Sequence, residues 1–333
     1  MAEQSSTSRS STGTGGKGPS EDGRGRSATT PSEIPARGWK DILLRVYQGI
    51  SDDRILANAA AVTFYVLLAI FPGIAALVSI YGLFTNPGSI SSSLGSLSGI
   101  LPGGVVSVLH EQLARLTSQG GGSLSIGFII GLLAALWSAN GGIKGLFDAL
   151  NAVYEEEEKR SFLKLTAVSF VFTLAILALA IVALAAIVVL PVILHSLPGA
   201  IGLIFAIARW PVLLVLVAVV LAFVYRYGPS RTEPRWRWIT WGSAFAALTW
   251  LAVSGLFTWY AANFGTFNKT YGSLGAVVGF MIWIWISSIV VLIGGKLNAE
   301  IEHQTAREST AGPPKPRGQR GAKMADTVGP SRT

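Results

Sequence analysis

The sequence predicts an all-α fold: a polytopic membrane bundle of about six crossing helices, with amphipathic interfacial helices and two polar tails. Three observations predict it. Half of the 333 residues are hydrophobic, only 13% are charged, and the mean hydropathy is +0.51, which is too apolar for a water-soluble globule. Long stretches carry no charge at all: none falls between Trp238 and Asn268, or between Thr270 and Gly295. Each exceeds the roughly 20 apolar residues that cross about 30 Å of hydrocarbon. Finally, a six-span scheme puts 23 of the 26 Lys and Arg residues on one side, leaving only Arg115, Arg209 and Lys269 on the other. That side is expected to be cytoplasmic.

Residues 1–35 are Ser, Thr, Gly and charge, with too little apolar surface to offset the entropy of ordering. They are expected to form a disordered cytoplasmic tail. From Gly38 to Ile50, the positions Trp39, Ile42, Leu43, Val46, Tyr47 and Ile50 recur at helical spacing. Lys40 and Arg45 fall on the opposite face. This predicts a helix lying on the inner leaflet.

The membrane domain is expected over residues 36–303. Its first span, 57–84, carries Pro72 and Gly73 near the middle, where proline removes a backbone hydrogen bond and breaks or kinks a helix. Such breaks line substrate sites in transporters, and they also serve as packing kinks. A Ser/Gly/Pro loop over 85–104 leads into an amphipathic stretch, 105–116, at the outer interface.

The second span, 124–140, runs into a segment with an apolar stripe and a charged one. That segment either extends the crossing or turns along the surface at Gly141 and Gly142. The third span is 165–190 and the fourth 210–225, leaving residues 192–208 as an outer hairpin or re-entrant piece.

Spans five and six, 239–262 and 271–294, form a hairpin bracketed by Arg226, Arg231, Arg235 and Arg237 before it and Lys296 after it. Tryptophans at its ends, Trp236, Trp238, Trp241 and Trp259, are expected at the membrane interface. Gly275 and Gly279 offer a close helix approach. Residues 304–333 read as a second disordered basic tail.

Several uncommon residues fall in order through this half: Tyr225, Arg226, Pro229, Trp250, Tyr260, Tyr271, Gly272, Ser273, Leu274, Gly275, Trp283, Trp285, Gly294, Leu297, Asn298 and Glu300. The block resembles the carboxy-terminal half of the YihY/virulence factor BrkB family. The likeness extends to Asn58, Ala59, Tyr65, Phe71 and Pro72, and loosely to Asn140 and Asn151. It implies a multi-pass protein of the bacterial cytoplasmic (inner) membrane with a role in the envelope.

That family once carried a ribonuclease label, yet the residues give hydrolysis little to work with. The three histidines, His110, His195 and His303, are isolated. Asp148 is the single aspartate between Asp53 and Asp326, and there is no cysteine. Metal-assisted phosphodiester cleavage needs clustered His and carboxylate ligands, and no phosphate-loop or nucleophile-elbow motif occurs. No catalytic residue, metal or cofactor is therefore expected.

The net charge of +8 is read as anchoring to inner-leaflet lipids rather than nucleic-acid binding. The expected function is a transport or export component for a lipid or small polar solute, and the alternative is a non-transporting scaffold for envelope machinery. The pathway or gate residues expected are Asn58, Pro72, Asn140, Asn151, Arg226, Tyr271, Gly272, Ser273, Lys296, Asn298 and Glu300. Lys296 and Glu300 stand one turn apart, which fits either a surface ion pair or a cytoplasmic gate. Membrane lipids are the expected partners, and a second copy of the chain or an envelope protein is left open.

Overall fold

The computed structural model describes residues 23–82, 126–195, 199–264 and 274–332. A short turn of 3-10 helix, Pro31–Glu33, precedes α1 (Ala36–Asp52), α2 (Ile55–Gly82), α3 (Ile126–Val153), α4 (Phe162–His195), α5 (Gly199–Tyr227), α6 (Trp236–Phe264), α7 (Leu274–Gln304) and the single turn α8 (Lys323–Asp326). Among the described residues no strand forms, only an isolated bridge between Pro234 and Thr310. Among the described residues four helices are long and apolar enough to cross a membrane, or five crossings if the bent pair α1–α2 counts as one. In α5 the qualifying stretch is the shorter Leu214–Tyr227. The expected six is thus approximate. The loop 85–104, the amphipathic stretch 105–116 and the turn residues Tyr271, Gly272 and Ser273 lie outside the described residues.

Why these residues form these helices is plain from their composition. Over α2 to α7 most positions are Leu, Ile, Val, Ala, Phe or Trp, and in hydrocarbon a helix is one of the two ways to satisfy every backbone polar group. Large apolar side chains point outward, including Val171 (64% exposed) and Leu256 (65%). Lipid, not water, suits such a surface.

The helix α1 is amphipathic as expected, but its buried face differs. Gly38, Asp41, Ile42, Arg45, Val46 and Gly49 are buried, while Leu43 and Tyr47 are exposed. Arg45 therefore faces inward, because a partner waits there. Between α1 and α2 the chain bends by 61°. Arg54 takes a left-handed φ of 51° at this bend, and the Asn58 side-chain amide donates to the Asp53 carbonyl at 2.8 Å.

Pro72 does not break the first span: α2 runs unbroken through it. One lost backbone bond is tolerated because α2 lies flush on α3. There a methyl group added at Gly142 would meet the Ala69 side chain at 3.2 Å, and one at Gly145 would meet the Tyr65 ring at 2.6 Å.

Other boundaries also shift. The helix α3 continues past Asn140 to Val153, so the charged extension is part of the crossing helix. Within the stretch 192–208, residues 192–195 end α4 and residues 199–208 begin α5, while residues 196–198 lie outside the described residues. Among the described residues no neighbour makes the close approach expected at Gly279. It occurs instead where Gly242 of α6 meets Gly294 of α7. Trp238, expected at the interface, is fully buried.

The core lies at the end of the bundle that carries both tails. Ile55, Val62, Leu150, Tyr154, Tyr225 and Leu292 form its centre, and Ile42, Trp238, Leu297 and Ile301 form a second cluster under α1. Residues 305–332, expected as a disordered tail, are folded onto this end. Thr305, Ser309, Thr310, Arg320 and Met324 are buried there. The reason is polar rather than apolar. The Arg320 guanidinium donates to the carbonyls of Ala325 (2.7 Å), Arg307 (3.0 Å) and Ala306 (3.2 Å) and pairs with Glu308 at 3.1 Å. Residues 23–35 dock similarly, with Ala28 and Ile34 buried.

Candidate functional site

The last two turns of α7 place Lys296, Asn298, Glu300, Glu302 and Gln304 in the packed end of the bundle, where no charge would be expected without a partner. Each has one. The Lys296 ammonium lies 2.8 Å from Asp53 Oδ2 and 3.1 Å from Glu300 Oε1. Arg45 Nε donates to Glu300 Oε2 at 2.6 Å. Its Nη2 donates to Gln304 Oε1 at 2.7 Å, and its Nη1 to the Pro330 carbonyl at 3.0 Å. His303 Nδ1 approaches the same Glu300 oxygen at 3.5 Å. Two cations thus face two carboxylates. The side chains of Lys296, Arg45 and Glu300 are at most 5% exposed.

Local sequence explains this convergence. Spacing of four residues stacks Lys296, Glu300 and Gln304 on one face of α7. The inward face of α1 supplies Arg45, and the bend at Arg54 turns Asp53 towards Lys296. The close packing is visible at Gly49, where a methyl group would run into the Lys296 side chain.

A second pairing sits beside it. Arg231 grips Glu302 with both terminal nitrogens, at 2.7 and 2.8 Å, and Ser309 donates to the same carboxylate at 2.6 Å. Burial works against the Arg231 charge, but Glu302 outweighs it and holds the guanidinium protonated. The Arg231 guanidinium also lies over the Tyr154 ring, 5.2 Å from its centre. Burial pushes the Tyr154 hydroxyl well above its ordinary range.

Of the residues expected from sequence, the structure brings Lys296, Asn298 and Glu300 together on α7. Asn298 is a helix-packing residue, its Oδ1 accepting the Gly242 backbone N–H at 2.8 Å. Asn151 ties loops together: it accepts from the Ser230 N–H at 2.7 Å and donates to Glu158 at 3.1 Å. Arg226 donates to the Pro234 carbonyl and lies over the Trp236 ring. Asn58 holds the bend, and Asn140 accepts from Thr173 of α4 at 3.1 Å, so neither joins the charge network. Pro72 also stands apart from it.

Sequence reasoning did not find Arg45, Asp53, Arg231, Glu302 or Gln304. The charges at helical spacing from Lys296 to Glu302 signalled only that α7 continues beyond its apolar stretch. Among the described residues, no group of three or more His, Asp or Glu side chains is disposed to hold a metal ion.

Membrane-length helices closed at one end by buried ion pairs define a multi-pass, all-helical membrane protein. Residues 46–319 match the family described as Virulence factor BrkB, and the chain belongs to that family. Among its relatives is a Bacillus subtilis protein named as ribonuclease-like, YfkH, 30% identical over 73% of this chain and 88% of that protein. Two others are named UPF0761 membrane proteins. That of Alkalilimnicola ehrlichii is 28% identical over 87% of this chain and 65% of its own length. That of Methylibium petroleiphilum is 25% identical over 83% and 66%. No solved structure matches the chain.

Proposed function

We propose that this protein is a transport or export component of the bacterial inner membrane, for a lipid or a small polar solute, with its charged end and both tails in the cytoplasm. The observation that carries this reading is the network of Arg45, Asp53, Lys296 and Glu300. Ionisable groups buried among membrane helices are costly, and such groups commonly mark substrate or ion pathways. Apolar side chains of similar size would hold the same helices together at least as well. A set of pairs joining α1, the α1–α2 bend, α7 and the 305–332 segment fits a closure that opens by exchanging partners. The two cations and two carboxylates would let that exchange proceed without leaving a bare charge. The inner-side orientation rests on the Lys and Arg distribution.

The test is flux from proteoliposomes containing the full chain. Glu300→Gln and Lys296→Gln, checked for folding by thermal melting, are expected to raise the leak of solute or the exchange of lipid. A protein that moves no lipid, ion or metabolite under any gradient, in either variant, sinks the proposal.

The exposed loop over residues 312–319, which carries Lys315 and Arg317, favours a second reading as a scaffold for an envelope partner. Deleting that loop would then abolish function while leaving any flux intact. Nucleic-acid cleavage, the activity in the name of the Bacillus subtilis relative, is not proposed, because the carboxylates Asp53, Glu300 and Glu302 are paired with lysine and arginine.

A further inference from the structure

A cavity of about 510 Å³ opens on the charged end, away from the α7 network, between the α3–α4 connection and the α5–α6 connection. Lys159, Arg160, Lys164, Arg226 and Arg231 line it, against a single lining carboxylate, Glu233. Three of these cations already hold carboxylates: Lys159 pairs with Glu156 at 2.6 Å, Arg160 with Glu158 at 2.7 Å and Arg231 with Glu302 at 2.7 Å. Lys164 and Arg226 pair with none among the described residues. Arg226 leaves its buried Nε without a hydrogen-bond partner, although the rest of its guanidinium is fixed by the Pro234 carbonyl and by the Tyr227 and Trp236 rings at 5.4 and 4.6 Å. An arginine held in this way, its charge met by no carboxylate among the described residues, leaves positive charge on the pocket wall for an incoming anion.

The walls say which kind. Tyr227 lines the cavity and stacks on the exposed Phe223, which packs edge-on against the exposed Trp236 at 5.1 Å. Between the lining residues Ser161 and Lys164 in sequence, Phe162 and Leu163 are 65% and 78% exposed at the start of α4. Aromatic side chains at the end of membrane helices sit at headgroup depth. The cationic pocket therefore meets the bilayer surface where lipid phosphates lie, and basic pockets between helices at that depth hold anionic headgroups.

We propose that this pocket is a fixed binding site for the phosphate of an anionic phospholipid in the adjacent leaflet. Arg226 and Lys164 supply the charge, the hydroxyl of Thr232 offers a further donor, and the aromatic rim holds the acyl-bearing part. The site does not depend on the transport reading, since a headgroup can dock whether or not lipid moves.

The test uses the full chain in nanodiscs of phosphatidylcholine with a minor fraction of phosphatidylglycerol, followed by native mass spectrometry to count retained lipids. The wild-type chain is expected to retain phosphatidylglycerol selectively. Because Arg226 also braces the fold, the primary variant is the exposed Lys164→Gln, expected to lower retention roughly five-fold for the one charge removed. Lys40→Gln, an exposed charge outside the pocket, is the control and should leave retention unchanged. Arg226→Lys keeps the charge but loses the planar, stacked geometry and should also lower retention. Equal retention in wild type and Lys164→Gln, or equal losses in Lys164→Gln and Lys40→Gln, overturns the site. Displacement of the lipid by millimolar inorganic phosphate overturns its assignment to a lipid.

Discussion

Arg45 on α1 and Glu300 on α7 meet at 2.6 Å across 255 residues of sequence, both almost fully buried. Their contact fixes how the amphipathic helix lies against the last span. It also leaves Glu300 shared between two cations, so the loss of either partner strands a charge.

Removing Arg45 alone is therefore expected to be severe. Arg45→Met should cost about 3–5 kcal/mol, the usual penalty for breaking a buried pair from one side. The adjacent Lys40→Met, on the exposed face, should cost almost nothing. Melting temperatures in detergent distinguish the two, and equal effects would mean the pair is not formed.

The meeting of α6 and α7 depends on two glycines. A methyl group at Gly294 would sit 2.6 Å from both the Ala246 side chain and the Tyr225 hydroxyl, and one at Gly242 would strike the Gly294 carbonyl. Gly294→Ala and Gly242→Ala should each destabilise by about 1–3 kcal/mol through overpacking. Gly255→Ala, with open space around it, should be neutral or gain up to about 1 kcal/mol from helix propensity. Urea or heat denaturation of the three variants checks the order.

Acid should loosen the α3–α4 connection. Burial acts to raise the Glu158 pKa, but hydrogen bonds from the Arg160 side chain and backbone and from the Asn151 amide outweigh it and bring it down to about 2. Glu308 is lowered too: burial again opposes, and Thr310 with the Lys315 N–H prevails. For a carboxylate with a depressed folded pKa, the contribution to stability is complete above the unfolded value near 4.5 and disappears as pH falls towards the folded one. Stability should therefore fall between about pH 4.5 and 2. Glu158→Gln should flatten that part of the melting profile, and an unchanged profile would count against the pairing.

The segment 305–332 should resist proteolysis in the intact protein. Arg320→Ala leaves carbonyls of Ala306, Arg307 and Ala325 unpaired, at about 1–3 kcal/mol, and should convert the segment to a readily cleaved one. Limited trypsin digestion of the two forms reads the difference directly.

Much of this was legible in the sequence, for physical reasons. Charge-free stretches longer than a bilayer can only be helices, so α6 and α7 were visible at once. The four-residue step from Lys296 to Glu300 placed both on one face of α7. Their burial was not legible, because whether a charge is solvated depends on which distant segment covers it. Arg45 illustrates the point: read alone, a charged residue on an amphipathic helix belongs outside, and only Glu300 draws it in. The 305–332 segment misled for a related reason. Rules that equate few apolar residues with disorder assume the chain must build its own core, whereas this segment docks on a polar surface already formed by α7 and the α5–α6 connection. At Pro72 the sequence left a substrate-site break and a packing kink open, and α2 is continuous through it, packed on α3.

The docking of that segment also has a temporal side. The carbonyls of Gly329 and Pro330, which receive Arg26 and Arg45, leave the ribosome only after every span has been threaded into the bilayer. During biogenesis those guanidiniums must wait at the lipid surface with provisional partners such as water, so the charged end locks last, as a final quality step on an already inserted bundle.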